Sequence, residues 1–503
     1  MHAPDERLTA PVYAARQVRE LDRLATERIG VASYELMTRA GAAALRALLA
    51  HWPQAREVLV YCGGGNNGGD GYVLARLAKQ HGLAVTVLAV VPPDRLKGDA
   101  RRAHDDCAAA TIAIERFVRH THNEVARKPD AIVDALLGIG ADRPLDGELA
   151  AAVGAINAAS APVLSLDVPS GLHADTGWPL GVAVRAAVTV TFVALKPGLY
   201  LGASCDYVGQ IELADLELPP DLGRGFSPAL VRLGLEELAR ALPRRPRSAH
   251  KGTNGRLLIV GGGPSMPGAV RLASEAALRT GAGLVYVATH ADSVSAVRAG
   301  RAEVIAQAVD GPTDLEHLLA SVDAAVLGPG LGRTPWARAL WRRLLDTELP
   351  LIVDADALNL LAEAPRSGGR WILTPHPGEA ARLLNSSIDE VERDRSASAR
   401  ALADRYGAIT VLKGARTLIA SPDPSVPTRV CGRGNPGMAT AGMGDVLAGV
   451  LGALVVQTRD LDTSAGAGVL LHALAGDSAA AGAERGTVAA DLMPHLRRWA
   501  NPS

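Results

Sequence analysis

Val58-Leu59-Val60-Tyr61-Cys62-Gly63-Gly64-Gly65-Asn66-Asn67-Gly68-Gly69-Asp70-Gly71 decides how the first half of this 503-residue chain folds. A continuous apolar run enters a glycine loop, and the loop opens a helix. That is the strand–turn–helix unit of a parallel α/β sheet, whose strands are buried on both faces. Working outward, further apolar runs lie at 84–91, 131–133, 163–166 and 188–195, separated by helical stretches. Upstream, Leu36, Ala40, Ala43, Ala44, Ala47 and Leu48 repeat at helical spacing and mark one helix face. Several strands run into Gly, Asp or Asn, and ligands of open α/β sheets sit at such carboxyl ends.

The pattern lapses over 217–251, where Leu218-Pro219-Pro220-Asp221 and Pro243-Arg244-Arg245-Pro246-Arg247 bracket one amphipathic stretch. The first segment reads as a domain boundary, the second as the approach to another domain. The arginine run reads either as a phosphate patch or as a solvated linker, and so few charges favour the linker. Apolar runs at 256–260, 283–289, 324–327, 351–353, 371–373 and 409–412 then restart the α/β rhythm, and a long apolar helix follows Asp445. Both halves contain a strand entering a glycine turn, but the segments downstream of the two turns differ, so two unrelated domains are expected, 1–222 and 223–503.

Composition narrows the partners. Lys and Arg number 52 against 53 Asp and Glu, so no long-range field favours nucleic acid or an anionic membrane. Hydrophobic content of 48% with 21% charge excludes a disordered chain. The four cysteines are dispersed, which argues against structural zinc and a disulfide framework. Met1-His2-Ala3-Pro4-Asp5-Glu6-Arg7 lacks a leader pattern, and the apolar run 446–456 is well short of the roughly 18 residues that span a membrane. A cytoplasmic protein is expected.

Gly63, Gly65 and Gly68 satisfy GxGxxG, a weak signal alone. The acid expected about 20 residues later in a dinucleotide fold is absent. Asn66, Asn67 and Asp70 suit a polar ligand or a hard cation better than a pyrophosphate. Asp134, Asp167 and Ser170 follow two further strands. Each alone reads as a cap or turn residue; together, at neighbouring strand ends, they read as one convergent polar site.

In the second half, Gly437-Met438-Ala439-Thr440-Ala441-Gly442-Met443-Gly444-Asp445 precedes the apolar helix. Glycines let backbone N–H groups converge at a helix N-terminus, where anions bind. Asp445, in the first turn, would accept the proton of an attacking hydroxyl; the plainer reading makes it a helix cap. No GxxxxGK[ST] loop occurs. Gly328-Pro329-Gly330-Leu331-Gly332, Asp354-Ala355-Asp356-Ala357-Leu358-Asn359, Pro375-His376-Pro377-Gly378-Glu379 and Lys413-Gly414-Ala415 each follow an apolar run and so converge on the same region.

With its Asn66-Asn67-Gly68-Gly69-Asp70-Gly71-Tyr72, Asp134-Ala135-Leu136-Leu137-Gly138-Ile139-Gly140 and Asp167-Val168-Pro169-Ser170-Gly171 stretches, and the segment Thr191 to Gly198, the first half resembles the NAD(P)HX epimerase family over about 13–218. The resemblance implies that Asn66, Asn67, Gly68, Gly69, Asp70, Gly138, Ile139, Gly140, Ala141, Asp142 and Asp167 bind a hydrated nicotinamide nucleotide. It also implies potassium at Asn67, Asp134 and Ser170, with Asp167 as acid/base. Thr38 stands where that family has Glu. Through His250-Lys251-Gly252 and the second-half loops, the rest of the chain resembles the ADP-dependent NAD(P)HX dehydratases of the ribokinase-like superfamily over about 248–500. That resemblance implies substrate contacts from Ala269, Gly330, His376 and Asp445, and adenine-nucleotide contacts from Lys413, Gly414, Ala415, Arg416, Thr417 and Gly444. Met443 and Ala441 stand where that family has Thr or Ser, and Gly.

The expected architecture is therefore a Rossmann-like three-layer α/β/α domain followed by a ribokinase-like one. The expected activity is bifunctional: one domain interconverts the R and S epimers of NADHX or NADPHX, and the other dehydrates the S form, consuming ADP (or ATP) with Mg2+. The families imply a homo-oligomer. The alternative is a small-alcohol or vitamin-precursor kinase carrying a non-catalytic nucleotide-binding module.

Overall fold

The computed structural model describes residues 8–118 and 128–502. The opening heptapeptide, where no leader pattern was found, lies outside them. Two compact units divide the chain. The first comprises Pro11–Leu230; the second runs from Val231 onward and also takes in residues 8–10. The division thus falls somewhat beyond Leu222, and the second unit is discontinuous in sequence.

The first unit is built on a seven-stranded, wholly parallel sheet. Its spatial order is Ala113–Arg116, Ala84–Ala89, Glu57–Cys62, Ala131–Ala135, Val163–Leu166, Val188–Phe192, Gln210–Ala214. The order reverses direction between Glu57–Cys62 and Ala131–Ala135, so the loops leaving those strands diverge and open a crevice. Glycine permits the junction: a Cβ on Gly63 would lie 1.9 Å from the Leu136 carbonyl oxygen of the neighbouring loop. Central strands are β-branched and buried, while the edge strands Ala113–Arg116 and Gln210–Ala214 carry Glu115, Arg116, Gln210 and Glu212.

In the second unit, parallel strands Ile305–Ala308, Leu284–Thr289, Arg256–Val260, Ala324–Leu327, Leu351–Val353, Trp371–Leu373 and Ile409–Leu412 lie in that spatial order. Leu418–Ala420 and Arg429–Val430 extend the sheet antiparallel. Helix Met443–Thr458 is apolar all round because it is buried all round, packed on the sheet and on helix Pro267–Thr280. The two helices approach so closely that a Cβ on Gly449 would lie 2.1 Å from the Ala273 carbonyl oxygen. Within the arginine run, Arg245 donates to the Gly281 carbonyl and to Gln457 Oε1, at the C-terminal ends of these same helices. That is an end-capping role suited to a cation. Among the described residues no helix is long and apolar enough to cross a membrane.

Candidate active sites

A cavity of about 530 Å3 opens at the crevice of the first unit. Asn66, Asn67 and Asp70 line it from the first turns of helix Asn66–Gln80, together with Gly138, Ile139, Gly140 and Asp167. Gly68 and Gly69 do not. Their Cβ positions would meet the Gly63 carbonyl oxygen and the Met37 side chain, so they seat the helix against its surroundings. Ala141 and Asp142 also lie outside the lining, and Asp142 is exposed. Leu36, Met37 and Ala40 face the cavity, whereas Thr38 turns its hydroxyl back onto the Tyr34 carbonyl, 2.8 Å away.

Asp134 is fully buried at the end of its strand. Its carboxylate accepts hydrogen bonds from Ser165 Oγ (2.8 Å), Ser170 N (2.9 Å), Ser170 Oγ (2.5 Å) and Leu136 N (3.3 Å). Burial pushes its pKa up, and these bonds oppose the rise. Ser170 Oγ also lies 3.1 Å from the Leu137 carbonyl oxygen. The buried amide of Asn67 has neither its nitrogen nor its oxygen hydrogen-bonded among the described residues. A buried orphan of that kind calls for a ligand. The oxygens of Asn67, Asp134 and Ser170 form a hard-donor set that fits a potassium ion.

Lys196 and Asp22 complete this site. Asp167 sits at φ +67°, a strained conformation for a residue with a side chain, and pairs with Lys196. The fully buried Lys196 ammonium also donates to Thr191 Oγ1 (2.9 Å) and the Phe192 carbonyl (2.7 Å). Asp22, on helix Ala15–Ile29, lines the same cavity. Burial lifts the Asp22 carboxyl to about 6, with Lys196 opposing and Asp167 reinforcing the shift. Burial, then the charges of Asp167 and Asp22, raise Asp70 well above the carboxylate range. The sequence offered one faint signal for Lys196, a charged residue placed directly after a buried run. For Asp22 it offered none.

The second site assembles around Lys413, whose ammonium donates to Asp354 Oδ1 at 2.8 Å and lies 3.8 Å from Glu379 Oε2. Burial opposes its charge, but Asp354, Glu379 and Asp445 together outweigh that and raise its pKa. Ala355, at φ +48°, separates two acids with different partners: Asp354 holds Lys413, while Asp356 Oδ2 accepts the Gly332 N–H at 2.8 Å. Burial and the charge of Asp354 lift Asp445 to about 7; burial likewise lifts Glu379 to about 7. His376 caps helix Pro377–Leu384: Nδ1 accepts the Gly378 N–H at 3.0 Å, and Glu379 Oε2 accepts the His376 N–H at 2.8 Å. Burial and the charges of Lys413 and Arg382 lower its pKa, favouring the neutral ring.

Ala269 and Gly330 adjoin, since a Cβ on Gly330 would lie 3.1 Å from that of Ala269. A Cβ on Gly444 would lie 3.4 Å from Lys413 Nζ and 3.9 Å from Asp354 Oδ2. The bare backbone there leaves room beside a cation, as an anion cradle requires. Gly414 adopts φ +148°, and the buried Arg395 donates to the carbonyls of Lys413 (3.0 Å) and Ala415 (2.7 Å), fixing that loop. Arg416 donates to the Gly432 carbonyl and Thr417 Oγ1 to that of Gly414 (3.3 Å). Arg395 is a contributor that sequence reading missed. Met443 is buried in the helix core, with its backbone bonded by the buried His472.

The family model described as YjeF-related protein N-terminus matches residues 33–198, and that described as NAD(P)H-hydrate dehydratase matches residues 257–498. The bifunctional NAD(P)H-hydrate repair enzyme of Coxiella burnetii is 48% identical over 98% of this chain and 99% of its own. Its namesake in Escherichia coli is 42% identical over 98% of this chain and 94% of its own. Among solved structures, a ribokinase-like superfamily protein of Enterococcus faecalis matches with TM-score 0.50 and 28% identity, over 54% of this chain and 94% of that one.

Proposed function

Because the chain belongs to the family of bifunctional NAD(P)H-hydrate repair enzymes, we propose that it restores hydrated NADH and NADPH through two active sites, an epimerase in the first unit and a dehydratase in the second. The kinase alternative lacks such support, since the full-length relatives carry the repair name. The observation that carries the dehydratase reading is the meeting of Asp445, Lys413 and the bare Gly444 backbone.

The hydrated ring bears a hydroxyl on the carbon beside nitrogen, and hydroxide leaves poorly. The hydroxyl oxygen attacks the terminal phosphoryl of ADP, Asp445 takes its proton, and AMP departs. The C–O bond of the phosphate ester then breaks, a proton leaves the adjacent carbon, and the ring double bond returns with release of phosphate. Lys413 draws the phosphates to the helix N-terminus; Lys413 to Thr417 hold the nucleotide, while Ala269, Gly330 and His376 position the ring. A magnesium ion entering with the nucleotide would offset phosphoryl charge, leaving Asp445 as the base and Asp354 paired with Lys413. ATP would fit the same loop.

Only one epimer suits such a site, so the first unit interconverts the two, with Asp167 moving a proton and Asn66, Asn67, Asp70 and the 138–140 loop holding the nucleotide. A potassium ion on Asn67, Asp134 and Ser170 would stiffen the loops and help balance the local carboxylates. A homo-oligomer and a cytoplasmic location accord with this family reading.

The test supplies mixed NADHX epimers with and without ADP and follows NADH absorbance. Complete recovery only with ADP is expected, and Asp167→Ala should recover the S epimer while stranding the R epimer apart from its slow spontaneous conversion. Failure to recover NADH, alongside phosphorylation of a small alcohol, would overturn the proposal.

A further inference from the structure

Epimerisation makes a demand that one acid/base group does not meet. The two epimers carry their hydroxyl on opposite faces of the ring. One face must protonate a departing hydroxyl while the other deprotonates an arriving water. Asp167 can serve one face only.

Helix Ala15–Ile29 brings a second carboxyl to the same space. Val18, Arg19, Asp22 and Thr26 share one side of this helix and line the cavity. Arg19 donates to the Ile139 carbonyl at 2.9 Å, tying the helix to the loop that carries Gly138 and Gly140. The charged groups sharing the cavity with Asp22 are Arg19, Asp70, Asp167 and Lys196. The Lys196 ammonium is committed to Asp167, Thr191 and the Phe192 carbonyl. Asp167 therefore has its own cation, whereas Asp22 has no ion-pair partner among the described residues. The two carboxyls are thus unlike: one is held by an ammonium, while the other sits in a half-buried pocket where its protonation changes at about 6.

Resting on the epimerase reading, we propose that Asp22 is the second acid/base residue of that site and works on the ring face opposite Asp167. With Asp22 protonated, its carboxyl gives the proton to the hydroxyl on its face. The C–O bond breaks, water departs, and the ring-nitrogen lone pair forms the C=N+ bond. Water adds to the same carbon from the other face and yields its proton to the Asp167 carboxylate, closing the opposite epimer. The protons on the two carboxyls have then changed places, and the site is set for the reverse conversion; exchange with solvent resets it.

Asp22→Asn should slow R-to-S conversion by at least about 100-fold, the usual contribution of a positioned proton donor. ADP-dependent recovery of the pure S epimer by the second site should be unchanged in the same preparation. Asp22→Glu, which keeps the carboxyl, should restore part of the rate, and the wild-type change in rate near pH 6 should vanish in Asp22→Asn. An Asp22→Asn enzyme within about threefold of wild type would sink the inference. A measurement free of variants is epimerisation by wild-type protein in 18O-water: each newly formed epimer should carry one solvent oxygen at initial rate, and unlabelled product would overturn the water-loss route. Wild-type protein that dehydrates the S epimer but never converts the R epimer would instead overturn the epimerase reading.

Discussion

Asp445 illustrates how one position acquires its chemistry. A carboxylate beside a helix N-terminus is ordinarily stabilised in its charged form, yet burial and the nearby Asp354 hold this one at about 7. A base must be ionised to act, so its competence is gained as pH rises. Dehydration of the S epimer at saturating ADP should therefore climb through about pH 7 and level above it. Asp445→Asn should lower the rate by roughly 100-fold to 10,000-fold and abolish that rise; a steep pH profile surviving in the variant would point to Glu379, which shares the same range. Asp445 and Asp167 were legible in the sequence because each lies within two residues of a glycine or proline in a motif whose backbone shape implies a ligand. Lys196 and Arg395 were obscure for a physical reason: each is defined by carbonyls and carboxylates, and those of Arg395 lie about twenty residues away. Asp22 was obscure too, one acid in an ordinary amphipathic helix.

Among the elements, the helix pair Pro267–Thr280 and Met443–Thr458 carries the second site, with Ala269 at the start of one and Gly444 and Asp445 at the start of the other. Their separation is set by Gly449 against the Ala273 carbonyl. Gly449→Val must push the helices apart, and overpacking of this kind costs about 1–3 kcal/mol. Urea unfolding followed by loss of dehydratase activity should shift to lower concentration, while epimerase activity should follow its wild-type curve. The buried parallel strands were readable as β-branched runs. The edge strands Ala113–Arg116, Gln210–Ala214 and Ile305–Ala308 were not, because edges are short and carry polar side chains that mask the apolar signal. The same elements explain Met443: its side chain fills the space between helices, so the departure from Thr or Ser is accommodated in the core.

For the whole molecule, the sequence made two α/β units legible, whereas the exchange at the N-terminus was not, since three residues are too few to show any periodicity. Residues 8–10 cluster with the second unit. There Thr9 N donates to Glu236 Oε1 (2.9 Å), Thr9 Oγ1 to Glu237 Oε1 (3.1 Å), and Arg232 to the Leu8 carbonyl (2.9 Å). Deleting residues 1–10 leaves those partners exposed or unpaired, at about 1–3 kcal/mol for a buried one. On heating, dehydratase activity should be lost several degrees earlier, with epimerase activity unaffected; equal losses would refute the assignment of this segment. The arrangement also bears on how the protein matures. A ribosome releases the chain from its N-terminus, and domains fold as they emerge. The epimerase has its full complement of residues once about residue 230 is out. The dehydratase, whose earliest described residues precede those of the epimerase, becomes whole only when the last helices arrive: residues 8–10 wait until about midway through synthesis for Arg232, Glu236 and Glu237, and the unit they join is completed only at its end.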